Sequence, residues 1–282
     1  MTELILHHYD FSNYSEKIRL VLGFKSLTWR SVIIPPIAPK PHLTPLTGGY
    51  RRTPVLQVGA DIFCDTSLIA RELERRFPTP TLFPSDLAAI ADAITYWAEK
   101  RFFRPVSLYV SGSNLEHLPE GLQADRSVMR GLPPPSPEVM RRAVNRNAPL
   151  ARGQLSQIES MLSDGRKWIA GQTITVADLA VYHALWFFTA RSSKLAFEIA
   201  PLGRINEWMS RIRAIGHGNS TPLSPMEALR IAADAVPARP RMPQSFDEDP
   251  KLGTMVRVRA DDYGRDPVEG RLIFLDASEV AI

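Results

Sequence analysis

The stretch from Arg51 to Glu74, RRTPVLQVGADIFCDTSLIARELE, constrains the fold of this chain more than any other. Val55 to Val58 is a short apolar run, Gly59-Ala60 supplies a turn, and a second apolar run returns from it. This pattern predicts a two-stranded hairpin. Asp65-Thr66-Ser67 then place three capping residues in front of apolar residues at helical spacing, which predicts a helix directly after the hairpin.

Two features of this stretch indicate chemistry rather than structure alone. Pro54 lies at the start of a strand, where it cannot donate to the ladder and where a cis peptide bond is a candidate. The helix start at 65–67 combines free N–H groups, hydroxyls and a carboxylate in one place. Such a combination suits the zwitterionic end of an amino acid.

Length and charge exclude several classes of protein. A chain of 282 residues is long enough for two domains with cores of their own. The net charge of +4 is a mild bias with both signs abundant, so we expect no nucleic-acid partner. Cys64 is the single cysteine, which excludes an internal disulfide and fits a reducing compartment.

The sequence also favours a cytoplasmic location without a membrane anchor. The first residues, MTELILHHYD, lack the basic and apolar regions of a signal peptide. No run approaches the roughly 18 apolar residues that span a bilayer. His7 and His8 have no third ligand at a suitable spacing, so we expect no metal site.

The first half of the chain predicts a mixed sheet with helices. Leu4 to Leu6 is an apolar strand, and Asn13 with Glu16 three residues later is helix-start chemistry. Residues 27–34 alternate as a second strand, which makes the beginning of the chain a βαβ unit with parallel strands. The hairpin and helix described above complete a four-stranded sheet.

After a proline-marked linker at 78–84 the pattern becomes helical. We expect a helix over 86–104, an irregular segment over 111–137 with a helical turn near 124–129, and a helix over 139–162. Pro149 lies inside that last helix and is expected to kink or split it.

The clearest local signal is a capping box, in which Thr175 caps a helix and Asp178 reaches back to it. It is a structural signal, and we assign Asp178 no catalysis. Residues 237–250 are predicted to be a proline-rich linker. The tail beyond it predicts strands at 255–258 and 271–275, which are too few to be stable alone and must pack on something.

Four segments in this order resemble the cytosolic glutathione transferases. Ser12-Asn13-Tyr14-Ser15-Glu16-Lys17-Ile18-Arg19 is similar to the family's active-site loop and first helix, in the version with serine at the active position. Arg52-Thr53-Pro54-Val55-Leu56 resembles its cis-proline segment. Asp65-Thr66 stands where the family has Glu-Ser, and Thr175-Val176-Ala177-Asp178 matches its C-terminal capping box.

The resemblance covers about residues 3–215 and implies the fold class. It implies an α/β thioredoxin-like domain over 1–80 and an all-helical domain over 85–236. Residues 237–282 would then be a linker and a small β-hairpin extension outside the resemblance. It also implies a homodimer.

The same resemblance implies a glutathione-dependent transferase acting on a small electrophile. Ser12 is the implied catalytic residue, as a hydrogen-bond donor to the glutathione thiolate. The implied glutathione-binding residues are Arg52, Thr53, Pro54, Asp65, Thr66 and Ser67. Thr53 replaces the family's usual apolar residue, and Asp65 is one methylene shorter than the usual glutamate.

Each of these residues also has a plainer interpretation. Taken alone, Ser12 is better explained as a helix cap, and the resemblance to the family is what favours the active hydroxyl; Ser15 is a weaker rival for that role. Cys64 is best explained as a buried core thiol. The alternative function is a non-catalytic protein of this fold whose C-terminal extension recruits a partner. Thiol-disulfide exchange would need a cysteine at position 12 or 15, where this chain has serines.

Overall fold

The computed structural model describes residues 3–238 and 249–282, so the predicted linker over 237–250 lies largely outside the described part. Nine strands occur in these residues: β1 Leu4–His8, β2 Thr28–Ile33, β3 Val55–Val58, β4 Asp61–Cys64, β5 Asn219–Pro222, β6 Met255–Val258, β7 Val268–Arg271, β8 Phe274–Leu275 and β9 Val280–Ala281. The α-helices are α1 Asn13–Phe24, α2 Thr44–Thr47, α3 Thr66–Arg76, α4 Ala88–Trp97, α5 Phe103–Ser113, α6 Leu122–Val128, α7 Pro137–Met161, α8 Val176–Arg191, α9 Ala196–Ile199, α10 Gly203–Arg213 and α11 Pro225–Asp234.

The main sheet has the strand order β4-β3-β1-β2-β5. β1 is parallel to β2 and antiparallel to β3, and β3 is antiparallel to β4. This confirms the predicted βαβ unit followed by a hairpin. The fifth strand, β5, comes from the far end of the chain and lies parallel to β2. The sequence does not predict β5, because its four residues are exposed and are either polar or proline, so they lack the apolar alternation that is typical of a strand.

Alternation along β1 distributes its side chains between two cores. Leu4 and Leu6 belong to the large core that includes α1, α3 and α8. Ile5 belongs to a smaller core on the other face, with Leu223 and Ala228 from the segment of β5 and α11. The period of two along a strand therefore places the helical half on one side of the sheet and α11 on the other.

α8 runs through the centre of the helical half, and most of its side chains are buried. Its predicted capping box is present: the Asp178 carboxylate accepts from the N–H of Thr175 at 2.9 Å. It also accepts from the N–H of Ile169 at 2.7 Å and from Nε1 of Trp208 at 3.0 Å. Asp178 thereby joins the start of α8 to two other segments, the loop at Ile169 and helix α10 at Trp208.

One helix prediction needs correction, and one of two alternatives for another is excluded. The helix predicted over 86–104 continues through a π-helical stretch at 98–102 and ends only at Ser113. Pro149 does not split α7, which is continuous from Pro137 to Met161. Buried Ala148 and Ala151 beside it belong to the large core, and this packing keeps the helix together despite one missing backbone donor.

The tail forms two small hairpins, β6 with β7 and β8 with β9, where two strands were predicted. Leu272 and Phe274 are buried, so the tail packs on the body of the molecule. The predicted α/β half, helical half and hairpin extension are therefore confirmed as a fold class.

Within the described residues, no helix has both the length and the apolar character that crossing a bilayer requires.

Candidate functional site

Ser12 ends the loop after β1 and caps α1. Its Oγ accepts a hydrogen bond from the backbone N–H of Ser15 at 3.2 Å, so Ser12 is a helix cap. Among residues 3–238 and 249–282, no acceptor is found for the Ser12 hydroxyl hydrogen. The hydroxyl is therefore free to donate at the positive end of α1. The rival Ser15 is fully buried, and its Oγ has no partner in the same described ranges.

The Thr53–Pro54 peptide bond is cis, and β3 begins directly after it at Val55. The main-chain N–H and C=O of Thr53 make no hydrogen bond with any residue that the structure describes. Residue 53 thus presents an unpaired backbone edge beside the strand, and such an edge can pair with the main chain of a peptide ligand.

The N-terminus of α3 lies next to this edge. Asp65 caps the helix, and its Oδ1 accepts from the N–H of Ser67 at 2.8 Å. The φ angle of Asp65 is 81°, in a region that residues other than glycine rarely adopt. Such backbone strain is concentrated at functional sites. The cap chemistry predicted at 65–67 is therefore present, in a conformation that capping alone does not require.

The Thr66 hydroxyl is held by Lys17, whose Nζ lies 3.3 Å from Thr66 Oγ1. The same Nζ lies 2.6 Å from Oε1 of Glu99 in the π-helical stretch of the helical half. The Lys17 side chain is 0% exposed and that of Glu99 is 15% exposed. This pair joins the two halves of the molecule beneath the helix start. Sequence reasoning missed it because 82 residues separate its members.

Lys40 is a second cation that the sequence did not reveal. It is buried, and its Nζ donates to Thr53 Oγ1 at 2.9 Å. Burial, with the nearby guanidinium groups of Arg126 and Arg51, lowers the pKa of Lys40 to about 7. A cavity of about 430 Å³ opens beside Lys40 and Arg51.

Arg52 lies at the junction of the two halves, where Asp262 of the tail bonds both Arg52 and Lys100; we call this junction the cleft. Its guanidinium donates to the Asp262 carboxylate and to the Tyr263 carbonyl, and it stacks 4.2 Å from the centroid of the Tyr263 ring. The resemblance to the family implies that Arg52 contacts glutathione. Its present partners come from a segment outside that resemblance.

Other candidates prove structural. Cys64 is only partly buried and packs against the smaller core, so the expectation of a fully buried thiol is wrong; burial and the neighbouring Asp65 still raise the pKa of its thiol to about 12, which leaves it unreactive. His7 bonds Gln57 at 2.8 Å, and burial lowers the pKa of the ring. No cluster of metal-ligating side chains occurs in the part of the chain that the structure describes.

Two family models match the sequence. The model of the glutathione S-transferase N-terminal domain matches residues 6–81, and that of the C-terminal domain matches residues 129–215. A crystal structure of a GST-like protein from Pseudomonas syringae is 36% identical, with a TM-score of 0.79, covering 99% of this chain and 90% of that one. The chain belongs to the glutathione S-transferase family.

More distant relatives of this transferase-family chain differ in what their names describe. FtsZ-localized protein A of Caulobacter vibrioides is 25% identical over 183 residues, which are 63% of this chain and 74% of that protein. A theta-class glutathione S-transferase from Xanthomonas axonopodis pv. citri, crystallised with glutathione bound, is 16% identical with a TM-score of 0.58. That match covers 76% of this chain and 93% of the other, and it shows a shared fold.

Proposed function

We propose that this member of the glutathione S-transferase family binds glutathione and activates its thiol for attack on a small electrophile. The observation that carries the proposal is the unpaired backbone of Thr53 beside cis-Pro54. It lies next to the start of α3, which supplies the remaining groups that a γ-glutamyl peptide needs.

Each part of glutathione has a partner in this arrangement. The cysteinyl main chain pairs with the N–H and C=O of Thr53, as an added strand does. The γ-glutamyl carboxylate takes the N–H groups at the start of α3 and the Thr66 or Ser67 hydroxyl, while Asp65 meets the ammonium group. Arg52 takes the glycyl carboxylate.

Ser12 acts on the sulfur. A free thiol has a pKa of about 8.5, so little thiolate is present at neutral pH. A hydrogen bond from the Ser12 hydroxyl and the positive end of α1 both favour the thiolate. The thiol proton passes to solvent, the thiolate forms a C–S bond with the electrophile, and the leaving group departs with the bonding electron pair. Ser12 remains a donor throughout and forms no covalent bond.

Binding of the γ-glutamyl end tests this arrangement. Calorimetry should show that cysteinylglycine, which lacks the γ-glutamyl group, binds at least about tenfold more weakly than glutathione, since it loses charged hydrogen bonds. Asp65→Asn keeps the helix cap but removes the charge that meets the ammonium, so it should weaken glutathione in the same direction. Asp61→Asn, in the same hairpin, is the control. Equal binding of both peptides would contradict the proposal.

A second function has support from the likeness to FtsZ-localized protein A. In that case the chain is a binding protein that recruits a partner, and FtsZ is the first partner to test. Co-sedimentation with polymerised FtsZ that is unchanged in Ser12→Ala would support this function. The homodimer and the cytoplasmic location remain predictions, and sedimentation of a monomer at micromolar concentration would contradict the first.

A further inference from the structure

A loop of the tail, Asp261-Asp262-Tyr263-Gly264, lies in the cleft where glutathione is proposed to bind. We call these four residues the tail loop. The N–H of Gly264 donates to the carbonyl of Met129 at 2.6 Å. Gly264 has φ of 58°, and a Cβ there would lie 2.8 Å from Met129 Cε. This positive φ favours glycine, and the backbone hydrogen bond brings the loop close to the end of α6.

Asp262 connects the two sides of the cleft. Its carboxylate accepts from Arg52 on the sheet side and from Lys100 Nζ, at 3.0 Å, on the helical side. A carboxylate held by Arg52 is the chemistry that the proposed function assigns to the glycyl end of glutathione. The tail loop thus places a carboxylate of the chain itself where the glycyl carboxylate of glutathione would bind.

The Tyr263 ring lies close to two arginines. Its centroid is 4.2 Å from the guanidinium carbon of Arg52 and 5.7 Å from that of Arg130. The tail loop therefore contacts Arg52 through a carboxylate, a main-chain carbonyl and an aromatic ring.

The hairpin that carries the loop is anchored elsewhere. Leu272 and Phe274 are buried, and Val268 packs against Gly48 so closely that a Cβ there would lie 2.6 Å from Val268 Cγ1. The loop itself is held by fewer contacts. They are the ion pair of Arg52 and Asp262, whose side chains are 16% and 36% exposed, the Tyr263 ring on Arg52 and the Gly264–Met129 backbone hydrogen bond. So small a set of contacts can open while the anchor stays in place.

We propose that the tail loop is an internal competitor of glutathione, in which the Asp262 carboxylate takes the place of the ligand carboxylate at Arg52. This proposal rests on the proposed function. Glutathione binds only to the fraction of molecules in which the loop has left the cleft, and its apparent Kd is raised by the inverse of that fraction. By reciprocity, bound glutathione releases the loop.

The test measures glutathione affinity by calorimetry in the full-length wild type, in Asp262→Asn and in the double variant Asp262→Asn/Tyr263→Ala. Loss of one partly exposed ion pair should tighten binding by about three- to tenfold, and loss of the stacked ring should tighten it further. Glu269→Gln is the matched control. It removes the same charge from the same hairpin, but its carboxylate pairs with exposed Arg257, away from Arg52.

A second readout follows the loop directly. The Gly264 amide is bonded to Met129 in the closed state, so its hydrogen exchange in the wild type should become faster when glutathione is added. An unchanged Kd in the variants would overturn the competition and leave the transferase function standing. Weaker binding would overturn it too, since the loop would then complete the site. No binding even in the double variant would overturn both, because an uncovered site must bind.

Discussion

The ion pair between Lys17 and Glu99 is a buried charged link between the sheet and the helical half at the site. Its Nζ–Oε1 distance is 2.6 Å, and the Lys17 side chain is 0% exposed. Lys17 also donates to Thr66 at the start of α3. The pair therefore supports both the packing of the two halves and the position of a proposed ligand group.

Glu99→Gln should lower the free energy of unfolding by about 2–4 kcal/mol. Removing one partner of a buried pair costs about 3–5 kcal/mol, because the other charge stays buried without compensation. The lower end applies here, since Glu99 is 15% exposed and the glutamine amide oxygen can still accept from Lys17. Urea unfolding followed by circular dichroism measures the change directly.

The chain offers a matched control at the same distance. Arg71 and Asp92 also approach to 2.6 Å, but their side chains are 49% and 45% exposed. Asp92→Asn should therefore cost no more than about 1 kcal/mol. Adding Lys17→Met to Glu99→Gln should recover part of the lost stability by removing the stranded ammonium. Equal effects of Glu99→Gln and Asp92→Asn would refute the reasoning from burial.

Two further outcomes are expected in the same urea assay. Asp178→Asn should lower the free energy of unfolding by about 3–5 kcal/mol, because the new side-chain NH₂ group faces the N–H donors of Ile169, Thr175 and Trp208. A loss of less than about 1 kcal/mol would contradict the importance of that hydrogen-bond network. Burial lowers the pKa of Lys40 from 10.5 to about 7 in the folded protein. Between these pH values the Lys40 amine carries a proton in the unfolded chain but not in the folded one, so the free energy of unfolding rises with pH. From pH 7 to pH 9 the wild type should gain about 2 kcal/mol more than Lys40→Met, and equal gains would count against the lowered pKa.

Local patterns in the sequence identified the elements that local chemistry determines. The helix start at Asp65 and the capping box at Thr175 follow from short spacing rules and are both confirmed. The mixed sheet follows from the order of strands and helices along the chain. These signals need only neighbouring residues, so one sequence is enough to read them.

Features that depend on distant partners were not predictable in the same way. β5 joins the sheet by main-chain pairing alone, so its side chains carry no signal. The partners of Lys17 and Lys40 lie in loops and helices whose approach is decided only by tertiary packing. The tail was predicted to pack on something, but nothing in its sequence indicated that Asp262 would reach Arg52, 210 residues earlier.

The pKa of the glutathione thiol in the complex tests the central claim most directly. Ultraviolet absorbance of the thiolate, followed as the pH is changed, should show a pKa well below the free value of about 8.5 in the wild type. Ser12→Ala should return the thiol pKa towards the free value, while Ser15→Ala in the same turn should leave it low. Ser224→Ala, which removes an equivalent cap from α11, controls for the lost helix cap of about 1 kcal/mol. A normal thiol pKa in the wild-type complex, or no change in Ser12→Ala, would contradict the account.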